Sequence, residues 1–373
     1  MKIAVVVPTR NEVRTIAAVA AAADAGLAAL GGDGLIINAD GASDDGTGQA
    51  FLAAPTRTRK RLITIDGVPG KGRNLLAAWR LCLGEGVDAV IMLDGDMLTV
   101  QPWWIPAFLR PIAAHGADFV SPRYRRSAYR GVSARSISRA FHYAWFGVDV
   151  QHPLSGNAAI SFPLLRRLAA RDWTEAELGY GVETAIVTTV LGERRPWATA
   201  QLDVCADIVR FGYRQRIAHD VLTATVQAAR SAVPRSGPAG RVETAPMTFI
   251  EPSAPETAWL EARVDDACDK SAACRRDYAR WAGGRFAEIE AGIAARRLDA
   301  SAWFHVFAHA LLEARERDRG RPAADYATAL GPLFSLRVLT VWQESAGLPA
   351  EAIDVAAAAE VGMMRSALAA AAA

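Results

Sequence analysis

An α/β fold is predicted, built on a mainly parallel, doubly wound sheet and followed by a helical C-terminal region. Three observations predict it. Short apolar runs alternate with amphipathic stretches through the first half of the chain. Polar segments follow four of those runs, three of them carrying glycine. Beyond a proline- and glycine-rich break near residue 230, the composition turns to Ala, Arg and Glu at helical spacing.

The runs "KIAVVV" (Lys2–Val7), "GLIIN" (Gly34–Asn38), "RLITI" (Arg61–Ile65) and "AVIML" (Ala89–Leu93) are predicted strands. Helices are predicted between them, over Glu12–Leu30, Thr47–Ala54 and Gly72–Gly84. Strands apolar on both faces and joined by helical crossovers belong in a parallel sheet covered on both sides. "ADFVSP" and "NAAISFP" extend the sheet beyond Asp96. The break "SAVPRSGPAG" (Ser231–Gly240) divides the chain into a domain over 1–230 and a mostly helical region over 231–373. Helical periodicity there covers Glu256–Arg280, Arg285–Arg297, Ala302–Arg315 and Ala350–Ala369. No fixed-period repeat is present.

The 373 residues are 51% apolar and 22% charged, enough to bury a core. Lys and Arg total 42 against 40 Asp and Glu, which makes no case for nucleic acid as the main partner. The apolar run Ile3–Val7 is too short for a signal peptide, and no membrane span is expected. Cys82, Cys205, Cys268 and Cys274 lack metal-type spacing, so a reduced, cytoplasmic setting is expected.

Doubly wound sheets bind ligands outside the carboxyl ends of their strands. There lie Pro8-Thr9-Arg10-Asn11-Glu12, "ADGASDDGT" (Ala39–Thr47), "GVPGKGRN" (Gly67–Asn74) and Asp94-Gly95-Asp96. Two adjacent carboxylates repel unless a cation joins them, and Gly95 allows the tight turn that points both at a Mg²⁺ or Mn²⁺. Lys71, flanked by glycines at a helix start, brings a cation and free N–H groups to a phosphate. Neither P-loop spacing nor a G-x-G-x-x-G after the first strand occurs.

Together these motifs resemble the nucleotide-sugar-binding half of GT-A glycosyltransferases, a Rossmann-like fold. "YRR" (Tyr124–Arg126), "HPLSGN" (His152–Asn157) and "GYGVET" (Gly179–Thr184) resemble stretches of glucosyl-3-phosphoglycerate synthases and related mannosylglycerate-type retaining enzymes, over about Met1 to Val221. The resemblance implies donor contacts from Pro8, Thr9, Arg10, Glu12, Asp40, Gly41, Lys71, Asp94 and Gly95. Within these, Glu12 would hold the ribose and Asp40 with Gly41 the base. It implies Asp96 as principal metal ligand with Asp94, and Glu183, Asp96 and Lys71 as catalytic groups. Arg125, Ser155, Gly156, Asn157, Tyr180 and Arg210 would serve the acceptor. The implied partners are a UDP- or GDP-hexose and a small polar acceptor such as phosphoglycerate or glycerate. A homodimer is left open.

One stretch departs from the pattern. In the resembling enzymes a histidine after the "GYGVE" glutamate completes the metal site, with an arginine two residues before it. Here "ADIVRFGYRQR" (Ala206–Arg216) has Val209 and Asp207 in those places. Asp207, His219 or no protein group at all then supplies the third ligand. The lost arginine puts a phosphorylated acceptor in question, with Arg123, Arg125, Arg126, Arg130 and Arg210 as substitutes. Rival functions are an inverting transferase of the same fold, with Glu183 as base, a sugar nucleotidyltransferase, and a sugar-nucleotide-binding protein without turnover. His305 and His309 share one helical face but lack the metalloprotease spacing, so packing is expected of them. Packing is likewise expected of Trp103 and Trp104.

Overall fold

The apolar runs of the first half form strands β1 (Ile3–Thr9), β2 (Gly34–Asp40), β3 (Arg59–Thr64) and β4 (Ala89–Met92). In this computed structural model, residues 1–31, 33–125, 131–206, 214–234, 240–242 and 257–372 are described. Strands β5 (Phe119–Arg125), β6 (Ala158–Ser161), β7 (Trp197–Val204) and β8 (Arg241–Val242) complete one sheet, ordered β3-β2-β1-β4-β6-β5-β7-β8. All neighbours run parallel except β6, which is antiparallel to both β4 and β5. The α/β class with a mainly parallel sheet is therefore as predicted.

Helices α1 (Ile16–Ala29), α2 (Thr47–Ala53), α3 (Lys71–Glu85) and α4 (Trp104–His115) follow in the first half. Next come α5 (Ala140–Phe146), α6 (Phe162–Ala169), α7 (Glu175–Leu178) and α8 (Val182–Gly192). The chain forms two units. The first comprises Met1–Arg126, Ser155–Phe211 and Pro238–Ile250; the second comprises Ser127–Leu154, Gly212–Gly237 and Glu251–Ala373. The sequence suggested one boundary near residue 230, whereas both units are discontinuous in sequence.

In the first unit, Ile16, Val19, Ala20, Ala23 and Leu27 line one side of α1 at helical spacing. They join Val5, Val7, Ile36 and Ile91 of the sheet and Trp104, Ile105 and Phe108 of α4 in a fully buried core. The helices touch at Gly26, where a Cβ would overlap Ile105. Trp104 packs as expected, but Trp103 is 40% exposed and does not. At the sheet margin β3 carries Arg59, Lys60 and Arg61, charges that discourage further strand pairing.

The second unit is helical, as expected of the C-terminal region. Besides α5 it contains α9 (Arg214–Ser231), α10 (Thr257–Ala273), α11 (Arg275–Ala282), α12 (Phe286–Ala294), α13 (Ala300–Leu312), α14 (Ala323–Ser345) and α15 (Ala350–Ala372). Trp303, Phe304, Phe307 and Leu311 of α13 are buried, and the Trp303 indole donates to Ser136 O at 2.9 Å. His305 faces Ala282 O (3.1 Å) and His309 bonds His305 O (2.9 Å), so both join the packing, as expected. Arg337, 1% exposed, reaches Glu360 at 2.8 Å and Glu344 at 3.1 Å, which pairs a charge too costly to bury alone. By length and composition alone, residues Ala352–Ala372 pass the test for a membrane span, as the core helix of a soluble protein also can. In the structure Ile353, Ala357, Val361 and Met364 turn one side of this helix inward.

Arg321 grips Asp277 with two hydrogen bonds of 2.8 Å each and holds its carboxyl below the usual 3.8. With the folded-state pKa below the unfolded one, this stabilisation is complete at neutral pH and disappears as pH falls through the lowered value. Asp277→Asn is expected to cost about 1 kcal/mol at pH 7. The deficit should shrink as pH falls below 3.8 and through the lowered value, as followed by urea denaturation at several pH values.

Candidate active site

The carboxyl ends of β1 and β2 are laced together by side chains. Thr9 Oγ1 donates to Asp40 Oδ1 (3.0 Å) and accepts from Asn38 Nδ2 (2.7 Å). The Gly41 N–H and Asn74 Nδ2 both donate to Thr9 O, at 2.9 and 3.2 Å. Asp40 also accepts the Ser43 N–H at 3.1 Å, and Arg10 reaches Gly41 O at 3.4 Å. Asn11, at φ 61°, donates its N–H to Ser43 Oγ (2.8 Å) and accepts from the Asp44 N–H (3.0 Å). The Glu12 N–H donates to Thr47 Oγ1 at 2.7 Å. Burial works against Asp45, but bonds from Thr47 and the Val13 N–H hold its carboxyl below the ordinary range. Ala42 sits at φ 53°, a left-handed conformation that costs an L-residue about 1 kcal/mol. This loop is fixed by its own bonds.

Gly70 and Gly72 flank Lys71 for a steric reason. A Cβ on either would overlap the backbone of Glu177 and Leu178, and the Gly72 N–H donates to Gly179 O at 3.0 Å. The first turn of α3 thus lies against the turn leading into α8, whose first turn carries Glu183. Lys71 Nζ lies 2.6 Å from Asp94 Oδ1 and 2.7 Å from Glu183 Oε1. Burial opposes the ammonium charge, yet Asp94 and Glu183 outweigh it and raise the Lys71 pKa. Burial raises that of Glu183, with Lys71 pulling the other way. One cation shared by two acids leaves a net negative cluster.

The turn after β4 is seated by backbone contacts. The Asp94 N–H donates to Asn157 Oδ1 (2.9 Å), and the Asn157 N–H to Ser155 Oγ (3.1 Å). A Cβ on Gly156 would overlap the Asp94 carboxylate, and one on Gly95 would overlap Thr9. Thr15 Oγ1 donates to Gly95 O at 2.6 Å.

The structure therefore brings three expected groups into contact: Thr9, Arg10, Asp40 and Gly41; Lys71, Asp94 and Glu183; and Asp94, Ser155, Gly156 and Asn157. Pro8 lies near the end of β1, Glu12 and Asp96 follow β1 and β4, and Tyr180 lies on the turn between α7 and α8. Arg125 ends β5, and Asp207 and Arg210 fall outside the described residues. His219 lies on α9 in the helical unit, 3.4 Å from Thr328 Oγ1. Sequence reasoning missed the structural roles of Asn38 and Asn74. The signal was there: Asn38 is the amide inside an apolar strand. Asn74 heads the buried stripe Leu75, Ala78, Trp79 and Cys82 of α3.

Residues 4–168 match the family model described as Glycosyl transferase family 2. The matched segment holds the β1, β2, Lys71 and Asp94 motifs and stops before Glu183. The chain is 28% identical over 221 residues to glucosyl-3-phosphoglycerate synthase of Mycobacterium tuberculosis and of Mycobacterium bovis. That alignment covers 54% of this chain and 64% of those proteins. Among solved structures, the M. tuberculosis synthase with Mn²⁺, uridine diphosphate and glucosyl-3-phosphoglycerate gives a TM-score of 0.49 at 24% identity. It covers 61% of this chain and 79% of that one, as does the complex with Mg²⁺ and uridine diphosphate, also at 24% and 0.49. The family match falls on the strand-end motifs from which the glycosyltransferase resemblance was predicted.

Removing the shared cation leaves buried Glu183 and half-buried Asp94 without their counter-charge, so Lys71→Met is expected to cost on the order of 3 kcal/mol. Glu183→Gln should destabilise the parent protein but stabilise the Lys71→Met variant. A double-mutant cycle by chemical denaturation checks that reversal of sign.

Proposed function

We propose that the protein is a metal-dependent glycosyltransferase that moves a hexose, glucose or mannose, from a nucleotide diphosphate donor to a small polar acceptor with retention of configuration. The observation that carries this reading is Lys71 held between Asp94 and Glu183 at the ligand edge of the sheet. The laced β1 and β2 ends receive the nucleoside, with Glu12 at the ribose and Asp40 and Gly41 at the base. Lys71, heading a helix whose first N–H groups are uncapped by any side chain, faces the diphosphate. Glu183 supports positive charge developing on the sugar ring. A cytoplasmic setting goes with this reading, and the four cysteines are unpaired.

The residues present fit a divalent cation. Asp94 and Asp96 offer hard oxygen donors on one tight turn, the set that Mg²⁺ and Mn²⁺ prefer alongside phosphate oxygens and water. When bound there, the ion supplies charge neutralisation for the departing nucleoside diphosphate. The relatives named above were solved with these ions and with uridine diphosphate, which makes UDP-glucose the first donor to try. GDP-mannose is the second. Retention is favoured over inversion because Glu183 accepts from Lys71 in a closed ion pair, an arrangement suited to electrostatic support. An inverting base would need to face the acceptor hydroxyl instead.

The test is transfer to glycerate and 3-phosphoglycerate from UDP- or GDP-hexose with Mn²⁺ or Mg²⁺, with the product anomer assigned by NMR. Asp96→Ala is expected to lower turnover by roughly 10²-fold or more, the scale of losing one group that faces developing charge. Its melting temperature without ligands serves as its own reference, and the added shift from uridine diphosphate and Mn²⁺ should be lost. Full turnover by that variant would remove Asp96 from the site.

A further inference from the structure

The guanidinium of Arg123 stands unneutralised at the ligand edge of the sheet. Its Nε is buried and has no hydrogen-bond partner, and among the described residues its side chain makes no ion pair. Two positions back, on the same face of β5, the Ser121 hydroxyl is also buried without a partner. Arg123 itself is half-buried, but its Nε is a buried donor left unmade, which costs roughly 1–3 kcal/mol.

Sheet register shows what Arg123 is near. Met92 of β4 pairs with Ala158 of β6, and two residues beyond, Asp94 and Gly156 touch. On the other side of β6, Val120 pairs with Ala159 in antiparallel sense. Continuing that register brings Arg123 level with Gly156. Asp94 and Arg123 therefore flank Gly156 from opposite sides, with two strand spacings, about 10 Å, between their backbones. The backbone of β5 is steadied there by Gln201 of β7, the register partner of Arg123, whose side-chain amide donates to Arg123 O at 3.2 Å.

We propose that Arg123 determines acceptor specificity by binding the oxyanion of a small hydroxy acid or its phosphate ester. Asp94 stands on the donor side of Gly156 and Arg123 on the other. The spacing suits a sugar ring and a three-carbon acceptor placed end to end. A planar guanidinium pairs with carboxylate or phosphate oxygens through paired N–H donors, and Ser121 adds a hydroxyl. This inference rests on the glycosyltransferase reading and adds to it the charge of the acceptor and the residue that recognises it.

The experiment compares the parent, Arg123→Gln and Arg123→Lys as full-length protein, with 3-phosphoglycerate, glycerate and glycerol as acceptors. Arg123→Gln should raise the KM for the anionic acceptors about 10- to 100-fold, the scale of a lost charge-assisted bond, with kcat and the donor KM changed little. Arg123→Lys should restore part of the loss. A larger effect on 3-phosphoglycerate than on glycerate assigns the phosphate as the bound oxyanion, and the reverse assigns the carboxylate. Transfer to glycerol, where measurable, should be insensitive to the substitution. Melting shifts with uridine diphosphate and Mn²⁺ certify folded variants. Should Arg123→Gln fail to fold, Arg123→Lys and competitive inhibition of the parent by inorganic phosphate carry the test. An unchanged KM for both anions, or an equal loss on glycerol, overturns the role of Arg123 while leaving the transferase intact. No transfer by the parent enzyme overturns both readings together.

Discussion

Lys71 reaches Asp94 at the end of β4 and Glu183 in the first turn of α8, so three chain segments meet through one ammonium. The arrangement runs against local preference. A helix N-terminus carries partial positive charge, and α3 begins with a cation and no acid in its first turn. Glu183, by contrast, sits where the α8 dipole favours it. The two carboxylates offset what the dipole and burial together take from Lys71. A residue that breaks a local rule and is rescued only by distant partners marks a position chosen for chemistry.

Backbone supports the site as much as side chains do. Gly156 sits against the Asp94 carboxylate and Gly95 against Thr9, while Gly70 and Gly72 lie against the α7 end. Each contact would be lost by adding one methyl group. The acids and the lysine are thereby held by main-chain surfaces, which have fewer rotamers to lose than packed side chains would. Such an arrangement is preorganised: its charges are fixed in place before any ligand arrives.

Much of this was legible in the sequence. The apolar runs and their polar sequels located the strand-end motifs and gave β1, β2 and β4 away, because burial on both faces leaves an unmistakable pattern; β3, exposed at the margin, showed only in its short apolar run. The pairing of Lys71 with Glu183 was not legible as a contact, since periodicity carries no long-range distance. Nor was the reversal of β6, because "AAIS" is equally apolar in either direction. Helix α14 was overlooked outright. Gly331 and Pro332 break its helical signal, yet the helix runs through them because Tyr326, Leu330, Leu333 and Leu336 are buried on its inner side. Asn38 and Asn74 were hidden for a related reason: an amide in an apolar stretch gains meaning only once its partner, Thr9, is placed.

The reversed strand β6 has a consequence for variation. Because β5 and β6 are antiparallel neighbours, the chain leaves the sheet after Arg125 and re-enters through Ser155 at the same margin. Residues spliced between those two points need not disturb a single rung of the ladder, and lengthening a closed excursion costs only logarithmically in entropy. The architecture thus separates what must stay constant from what is free to diversify. New recognition chemistry can be grafted beside Gly156 while the strand-end scaffold keeps its shape.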